Sequence, residues 1–258
     1  MPYIHHRALG KGPPIIFLHG FCETGEIWDP FVARVSTRCQ AIILDLPGFG
    51  GSPLPKGNLS LAEIGAALNE WVLRQKFKNP IVLGHSLGGY VCLAMAAQMP
   101  EAYAALGLIH STARADTDEK RLNRTKVMEF VKAHGARAFV DTFVPGLFYR
   151  KDHPSMDFVH KIALQTTEAT LLAYMAAMRD RPSREGFIGG FGKPILMVGG
   201  KEDPLIPVGS LEGQVALNAK ASLHILEDVG HMGMFEARDK LANIVIHFVS
   251  SVENGSGA

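Results

Sequence analysis

The sequence has almost no net charge. Its 26 lysines and arginines meet 25 aspartates and glutamates, leaving +1 over 258 residues. That removes any general electrostatic case for nucleic acid. Long apolar runs are also missing. No stretch approaches the roughly 18 consecutive apolar residues that a membrane span needs, so no membrane partner is expected. Residues 1–7, Met-Pro-Tyr-Ile-His-His-Arg, lack a secretory apolar core. Cysteine is scarce: Cys22, Cys39 and Cys92 are odd in number and have no metal spacing. They fit a reducing compartment, with a cytoplasmic location as the default expectation. His5-His6 has the wrong spacing for a metal site and no acidic partners near it, and no metal is expected. No internal repeat or low-complexity block is present. The remainder, 47% hydrophobic and 20% charged, suits one large α/β domain or two small ones.

Short apolar runs alternate with helical patterns. Tyr3 to Leu9 is a candidate edge strand, ended by the turn signal Gly10-Lys11-Gly12-Pro13-Pro14. Ile15–His19, Ala41–Asp45, the run opening at Ile81-Val82-Leu83, Leu106–His110 and Lys193–Gly200 are candidate strands built on continuous apolar runs. Such runs are expected of strands buried on both faces of a parallel sheet. Leu223 to Leu226 is the last candidate strand. Leu61, Ile64, Leu68, Trp71 and Val72 recur at helical spacing, and Ser60 with Glu63 forms a capping box before them. The order strand, helix, strand predicts a mostly parallel sheet with helices on both faces. From about 113 to 191 no comparable strand appears. Val127, Phe130, Phe139 and Phe143 follow at helical spacings, Pro145-Gly146 is expected to break the run, and Met156 to Arg179 is helical again. This stretch is expected to form a helical insertion capping the sheet edge, with the core at 1–112 and 192–258. A final helix is expected over Leu241 to Val249, and a flexible tail over 251–258.

The chain is organised around Ile81-Val82-Leu83-Gly84-His85-Ser86-Leu87-Gly88-Gly89. A β-branched run breaks at glycine, presents one serine and passes into helix formers. Gly84-x-Ser86-x-Gly88 is the nucleophile-elbow pattern, a strand turning sharply into a helix. Side chains at 84 or 88 would collide with neighbouring elements. The Leu87 N–H would lie free at a helix N-terminus. A serine hydroxyl needs a base, and the base needs an orienting partner. Asp203 follows the strand ending at Gly200, and His231 follows the last strand, so both sit at the sheet edge where open α/β folds build sites. Ser86, Asp203, His231 is also the chain order of a triad built on this elbow. Glu202 and Asp228 are close rivals to Asp203, with Asp228 a candidate support for His231. His85 is expected to pack rather than react. His19 is either a brace for the loop after its strand or a plain strand-end histidine.

His19-Gly20-Phe21, Asp45-Leu46-Pro47-Gly48-Phe49-Gly50-Gly51-Ser52, Gly84–Gly89, Gly200–Asp203 and Gly230-His231 together resemble the α/β-hydrolase-fold superfamily. Within it the chain is similar to small capped esterases and lactonases, including 3-oxoadipate enol-lactonase-like proteins. One short strand stands where the family usually opens with a fuller hairpin. The resemblance implies an α/β-hydrolase fold, Ser86 as nucleophile, His231 as base and then acid, and Asp203 as orienting carboxylate. It also implies an oxyanion hole from the backbone N–H groups of Phe21 and Leu87, and no cofactor. Phe139, Phe143, Met175 and Trp28 are candidate pocket residues, with Glu23 at the pocket entrance. Arg114, Arg121, Arg124 or Arg179 could bind a substrate carboxylate or could be solvated surface. The expected activity is hydrolysis of a small ester or lactone. Cleavage of C–C, thioester or peracid bonds on the same triad, and a ligand-sensing receptor with little turnover, remain open alternatives.

Overall fold

A computed structural model describes residues 3–255. Seven strands form one sheet: β1 (His6–Leu9), β2 (Pro14–Leu18), β3 (Gln40–Leu44), β4 (Ile81–His85), β5 (Ala105–Ile109), β6 (Ile195–Gly200) and β7 (Ala221–Leu226). Their spatial order is β1-β3-β2-β4-β5-β6-β7. β1 runs antiparallel to β3, and the remaining pairs are parallel. Every residue of β4, β5 and β6 is buried. Side chains alternate faces along a strand, so burial at successive positions means that both faces of the sheet centre are covered. β7, at the edge, is buried fully only at Leu226.

Helix α1 (Asp29–Val35) packs on the C-terminal helix α10 (Arg238–Gly255), and α2 (Leu61–Gln75) packs on α3 (Leu87–Gln98). The capping box of α2 is formed: Ser60 Oγ accepts from Glu63 N at 3.1 Å, and Glu63 Oε2 accepts from Ser60 N at 2.9 Å. Between β5 and β6 stand α4 (Asp118–Leu147), α5 (Met156–Ala163), α6 (Glu168–Arg179) and α7 (Glu185–Gly190). α8 (Val208–Val215) precedes β7, and the short α9 (Gly233–Glu236) precedes α10. Among the described residues no helix is long and apolar enough to cross a membrane.

Three local expectations are refined or corrected. α4 ends at Leu147, just past Pro145-Gly146 as expected, but it also breaks earlier, at Gly135, with φ 83° and ψ 164°. Gly135 takes a backbone conformation that other residues avoid, whereas Pro145 sits within the last helical turn. Met156 to Arg179 is two helices, because Thr167 caps a new one: its Oγ1 accepts from Thr170 N at 3.1 Å. The expected flexible tail begins too early. α10 continues to Gly255, held by Val252, which is buried together with Phe248 and Val249. Residues 256–258 lie outside the described residues.

Candidate active site

The β4–α3 junction forces Ser86 to φ 50° and ψ −113°, a strained backbone for a residue with a side chain. The surroundings over-determine it. Ser86 N donates to Ile109 O at 3.0 Å, and Ser86 O accepts from Ser111 Oγ at 2.7 Å and from Gly89 N at 3.0 Å. The glycines permit the turn. A Cβ on Gly84 would lie 2.2 Å from the Gly88 carbonyl carbon, and one on Gly88 would lie 2.4 Å from Leu18 O. Leu87 is the first residue of α3, so its N–H has no helical partner.

His231 and Asp203 meet on the same rim of the sheet. His231 Nδ1 lies 2.8 Å from Asp203 Oδ2, with both side chains buried. Asp203 Oδ1 accepts from Leu205 N at 2.9 Å and Ile206 N at 3.1 Å. A second imidazole shares the other oxygen: His110 Nδ1 is 3.2 Å from Oδ2. Burial alone would raise the Asp203 pKa. Electrostatic attraction to the His231 ring and hydrogen bonds with both imidazoles override it and hold the carboxyl well below the usual range. His110 goes the other way: burial lowers it to about 4. Its Nε2 is buried without a partner, as a neutral ring tolerates better than a charged one. Ligand atoms of His110, Asp203 and His231 are close enough together to hold a metal ion. The 2.8 Å contact between His231 and Asp203 is also the length of a hydrogen bond.

The His231 loop is anchored from two sides. His231 N donates to Leu147 O at 2.7 Å, and Glu236 Oε2 accepts from Gly230 N at 3.0 Å and Met232 N at 3.2 Å. Asp228, the expected support, is exposed and makes no hydrogen bond to His231 among the described residues. Glu202, the other rival, is also exposed. Among the described residues no hydrogen bond joins Ser86 Oγ to His231.

Behind this rim lies a buried ion pair. His85 Nδ1 is 3.0 Å from Glu23 Oε2, and His85 Nε2 is 2.9 Å from His231 O. A carboxylate and a carbonyl both accept, so His85 donates from both nitrogens and carries charge. Burial alone would lower the His85 pKa, but the Glu23 carboxylate raises it. Burial would raise Glu23, but His85, His19 and the Gly20 N–H lower it. Glu23 Oε2 also accepts from Gly20 N at 2.5 Å. One pair therefore ties the loop before Phe21 to the loop carrying His231. His19 ties the first of these loops to the end of β3. Its Nδ1 donates to Gly20 O at 2.8 Å, and its Nε2 accepts from Leu46 N at 3.0 Å. Glu23→Gln should cost about 3 kcal/mol in urea unfolding, because it strands a buried charge. The cost should be full between the unfolded values of 4.5 for Glu23 and 6.5 for His85. It should fade as pH falls through the lowered Glu23 value and as pH rises through the raised His85 value.

Ser86 opens into a cavity of about 260 Å³. Phe139, Phe143 and Met175 line it, as does Phe21, whose ring packs 6.1 Å from Phe139 and 6.0 Å from Phe143. Among the described residues neither the Phe21 nor the Leu87 N–H has a hydrogen-bond partner. Trp28 is corrected. It is buried in the core against Phe17 at 5.3 Å and Phe31 at 5.5 Å, away from the cavity, because it turns its indole onto β2 at the start of α1. Glu23, expected at the pocket entrance, is buried under the loop before Phe21. A larger cavity of about 490 Å³ lies beside Tyr90 and Arg184, and Ser86 is not part of it. Helix α6 is bonded to the loop after β3: Tyr174 Oη donates to Pro47 O at 2.6 Å, and Thr170 Oγ1 to Gly48 O at 3.0 Å.

Two histidines carry no catalytic signal in the sequence: His85 reads there as packing, and His110 as the end of a strand. Both stand at the C-terminal ends of adjacent parallel strands, the location that singled out Asp203 and His231.

The sequence matches the α/β-hydrolase family over residues 15–244. The chain belongs to that family. Similar proteins in this α/β-hydrolase family include a pimeloyl-[acyl-carrier protein] methyl ester esterase of Methylococcus capsulatus. It is 25% identical over 256 residues, covering 94% of this chain and 96% of that protein. A putative carbamate hydrolase of Agrobacterium fabrum is 28% identical over 220 residues, covering 79% of this chain and 80% of that protein. Among solved structures, a thermophilic esterase from Thermogutta terrifontis superimposes with a TM-score of 0.91 at 22% identity, covering 97% and 94% of the two chains. The enol-lactonase from Burkholderia xenovorans LB400 gives 0.88 at 21%, covering 96% and 97%.

Proposed function

We propose that this α/β-hydrolase is a serine hydrolase of small carboxylic esters or lactones. The observation that carries the reading is the buried 2.8 Å contact between His231 and Asp203, on the rim where strained Ser86 opens into a largely apolar cavity. An ionised carboxylate only accepts, so His231 keeps its proton on Nδ1 and offers the Nε2 lone pair as base. The reading requires Ser86 Oγ to reach that nitrogen in the substrate complex. Catalytic contacts of unliganded enzymes are commonly long and tighten on binding.

In the reaction, Ser86 Oγ attacks the carbonyl carbon and its proton passes to His231 Nε2. The oxyanion faces the N–H groups of Phe21 and Leu87, where each donor is worth about a hundred- to a thousandfold in turnover. Collapse of the tetrahedral adduct expels the alkoxide, which takes the proton from His231, and leaves an acyl-Ser86. Water, deprotonated by His231, attacks the acyl carbon. The second collapse restores the serine and releases the acid. Helices α4 to α7 act as the cap and supply Phe139, Phe143 and Met175 to the substrate cavity. The named activity of the methyl ester esterase relative supports an ester as the bond cleaved. Three unpaired cysteines support a reducing compartment, and we place the protein in the cytoplasm.

A serine-directed fluorophosphonate probe tests the assignment. The parent chain should label, and both Ser86→Ala and His231→Ala should lose labelling. An unlabelled parent would overturn the reading. Repeated turnover of a p-nitrophenyl ester separates an enzyme from a ligand sensor, which would give a single burst.

A further inference from the structure

We infer that the substrate carries an anionic group, a carboxylate at the far end of a short apolar acyl chain, and that Arg124 with Lys120 beside it receives that group. The inference rests on the esterase reading of Ser86 and names the substrate class of that site.

Four cap arginines are candidates in the sequence, and their surroundings separate them. Arg114 is paired with Glu185, and Arg121 and Arg179 with Asp180, all at partly exposed positions. Arg124 lines the Ser86 cavity. It lies on the face of α4 that presents Lys120, Asn123, Arg124 and Val127 to that cavity. These positions are i, i+3, i+4 and i+7, one stripe of a helix.

The Arg124 guanidinium is held by a carboxylate on its Nε side and meets no strong acceptor at Nη1 among the described residues. Its Nε donates to Asp116 Oδ2, and its Nη2 lies 3.5 Å from Asp116 Oδ1. Among the described residues its Nη1 meets only two thioethers, Met175 Sδ at 3.8 Å and Met178 Sδ at 3.6 Å, which are weak acceptors. Asp116 is not Arg124's alone. Its Oδ1 also accepts from Arg181 Nη1 at 2.7 Å. Arg181 is itself fixed by Met178 O at 2.7 Å and Arg114 O at 2.9 Å, and it lies 4.0 Å over the Tyr90 ring. One buried carboxylate thus serves two guanidiniums, and the cluster keeps one positive charge. Burial alone would raise the Asp116 pKa, but Arg124 and Arg181 pull it below the usual range, so the carboxylate stays charged. Lys120 adds a second cation, whose Nζ finds only the Leu205 carbonyl, at 3.3 Å, among the described residues.

The wall also carries Asp116, whose carboxylate the two guanidiniums engage, with Asn123 and Tyr90, and is otherwise apolar. Phe139, Phe143, Met175 and Val127 line the cavity that holds both Ser86 and these cations. A wholly apolar substrate would strip water from the cations and give nothing back, which is costly. A carboxylate restores the lost hydrogen bonds, and a preoriented guanidinium suits it. The volume of about 260 Å³ lies below the roughly 300 Å³ at which drug-sized pockets begin, which restricts the acyl chain to a short one.

Two matched esters test this: p-nitrophenyl hexanoate and the mono-p-nitrophenyl ester of adipic acid, which differ in a terminal methyl against a terminal carboxylate. The parent should prefer the anionic ester by about tenfold or more in kcat/KM, the scale of one charge-assisted contact. Arg124→Gln should erase most of that ratio through KM, Arg124→Lys part of it, and added salt should compress it in the parent. Because Arg124→Gln disturbs the bonding of Asp116, Lys120→Gln, which leaves Asp116 untouched, gives an independent reading and should lower the ratio about threefold. A parent that hydrolyses both esters without preference would overturn this inference and leave Ser86 standing. So would a ratio unmoved in both the Arg124→Gln and Lys120→Gln proteins. A parent that hydrolyses neither ester would overturn the Ser86 reading and this inference with it.

Discussion

Replacing Ser86 with alanine should lower kcat for a short-chain p-nitrophenyl ester by about a million-fold, the scale found when the serine of a comparable triad is removed. The structure explains why the loss should be chemical and not structural. The Ser86 side chain makes no hydrogen bond among the described residues, while its backbone N and O are bonded to Ile109 and Ser111. Alanine keeps the same Cβ, so the strained backbone at φ 50° is neither relieved nor worsened. Circular dichroism and the melting temperature should match the parent. Ester hydrolysis at the parent rate would remove Ser86 from the mechanism.

Asp203→Asn should cost about ten-thousandfold in kcat, the magnitude known for the same change in another triad. The hydrogen bonds of this chain dictate the failure. Asp203 Oδ1 accepts from two backbone groups, Leu205 N and Ile206 N. In the amide, the one remaining oxygen must take that place, because an NH2 there would face two donors. The NH2 then faces the two imidazoles at the former Oδ2 position. A donor facing His231 Nδ1 makes that nitrogen the acceptor and moves the proton to Nε2, where no lone pair is left to activate Ser86. Binding of a neutral ester should change little, so the loss should fall on kcat rather than KM. Undiminished kcat would mean that Asp203 does not set the His231 tautomer.

The pattern of apolar runs was enough to find the strands. Burial on both faces of a parallel sheet requires unbroken apolar stretches, and Ile81–Leu83 and Leu106–Ile109 show them. The capping box of α2 was equally legible, since Ser60 and Glu63 satisfy their helix end within four residues. Helix breaks in the 113–191 stretch were not. Pro145-Gly146 marked the end of α4, but the kink at Gly135 and the cap at Thr167 depend on where each residue falls relative to the helix ends. Trp28 shows a different limit. An aromatic residue looks the same in a list whether it fills a core or walls a pocket, and only its packing on Phe17 and Phe31 tells which.

By itself the sequence determined the sheet, the elbow and the candidate nucleophile, base and orienting carboxylate. Each of these depends on short-range chemistry: side-chain alternation, glycines that admit a tight turn, and loops that follow strand ends. The tertiary structure alone decided how those groups are held. The Glu23–His85 pair, the double use of Asp203 by His110 and His231, and the Asp116–Arg124–Arg181 cluster join residues 62, 93 and 65 positions apart in the chain. Charges and imidazoles so far apart carry no local signature. Their partners exist only once parallel strands have brought their C-terminal ends to one rim and α4 has been laid across it.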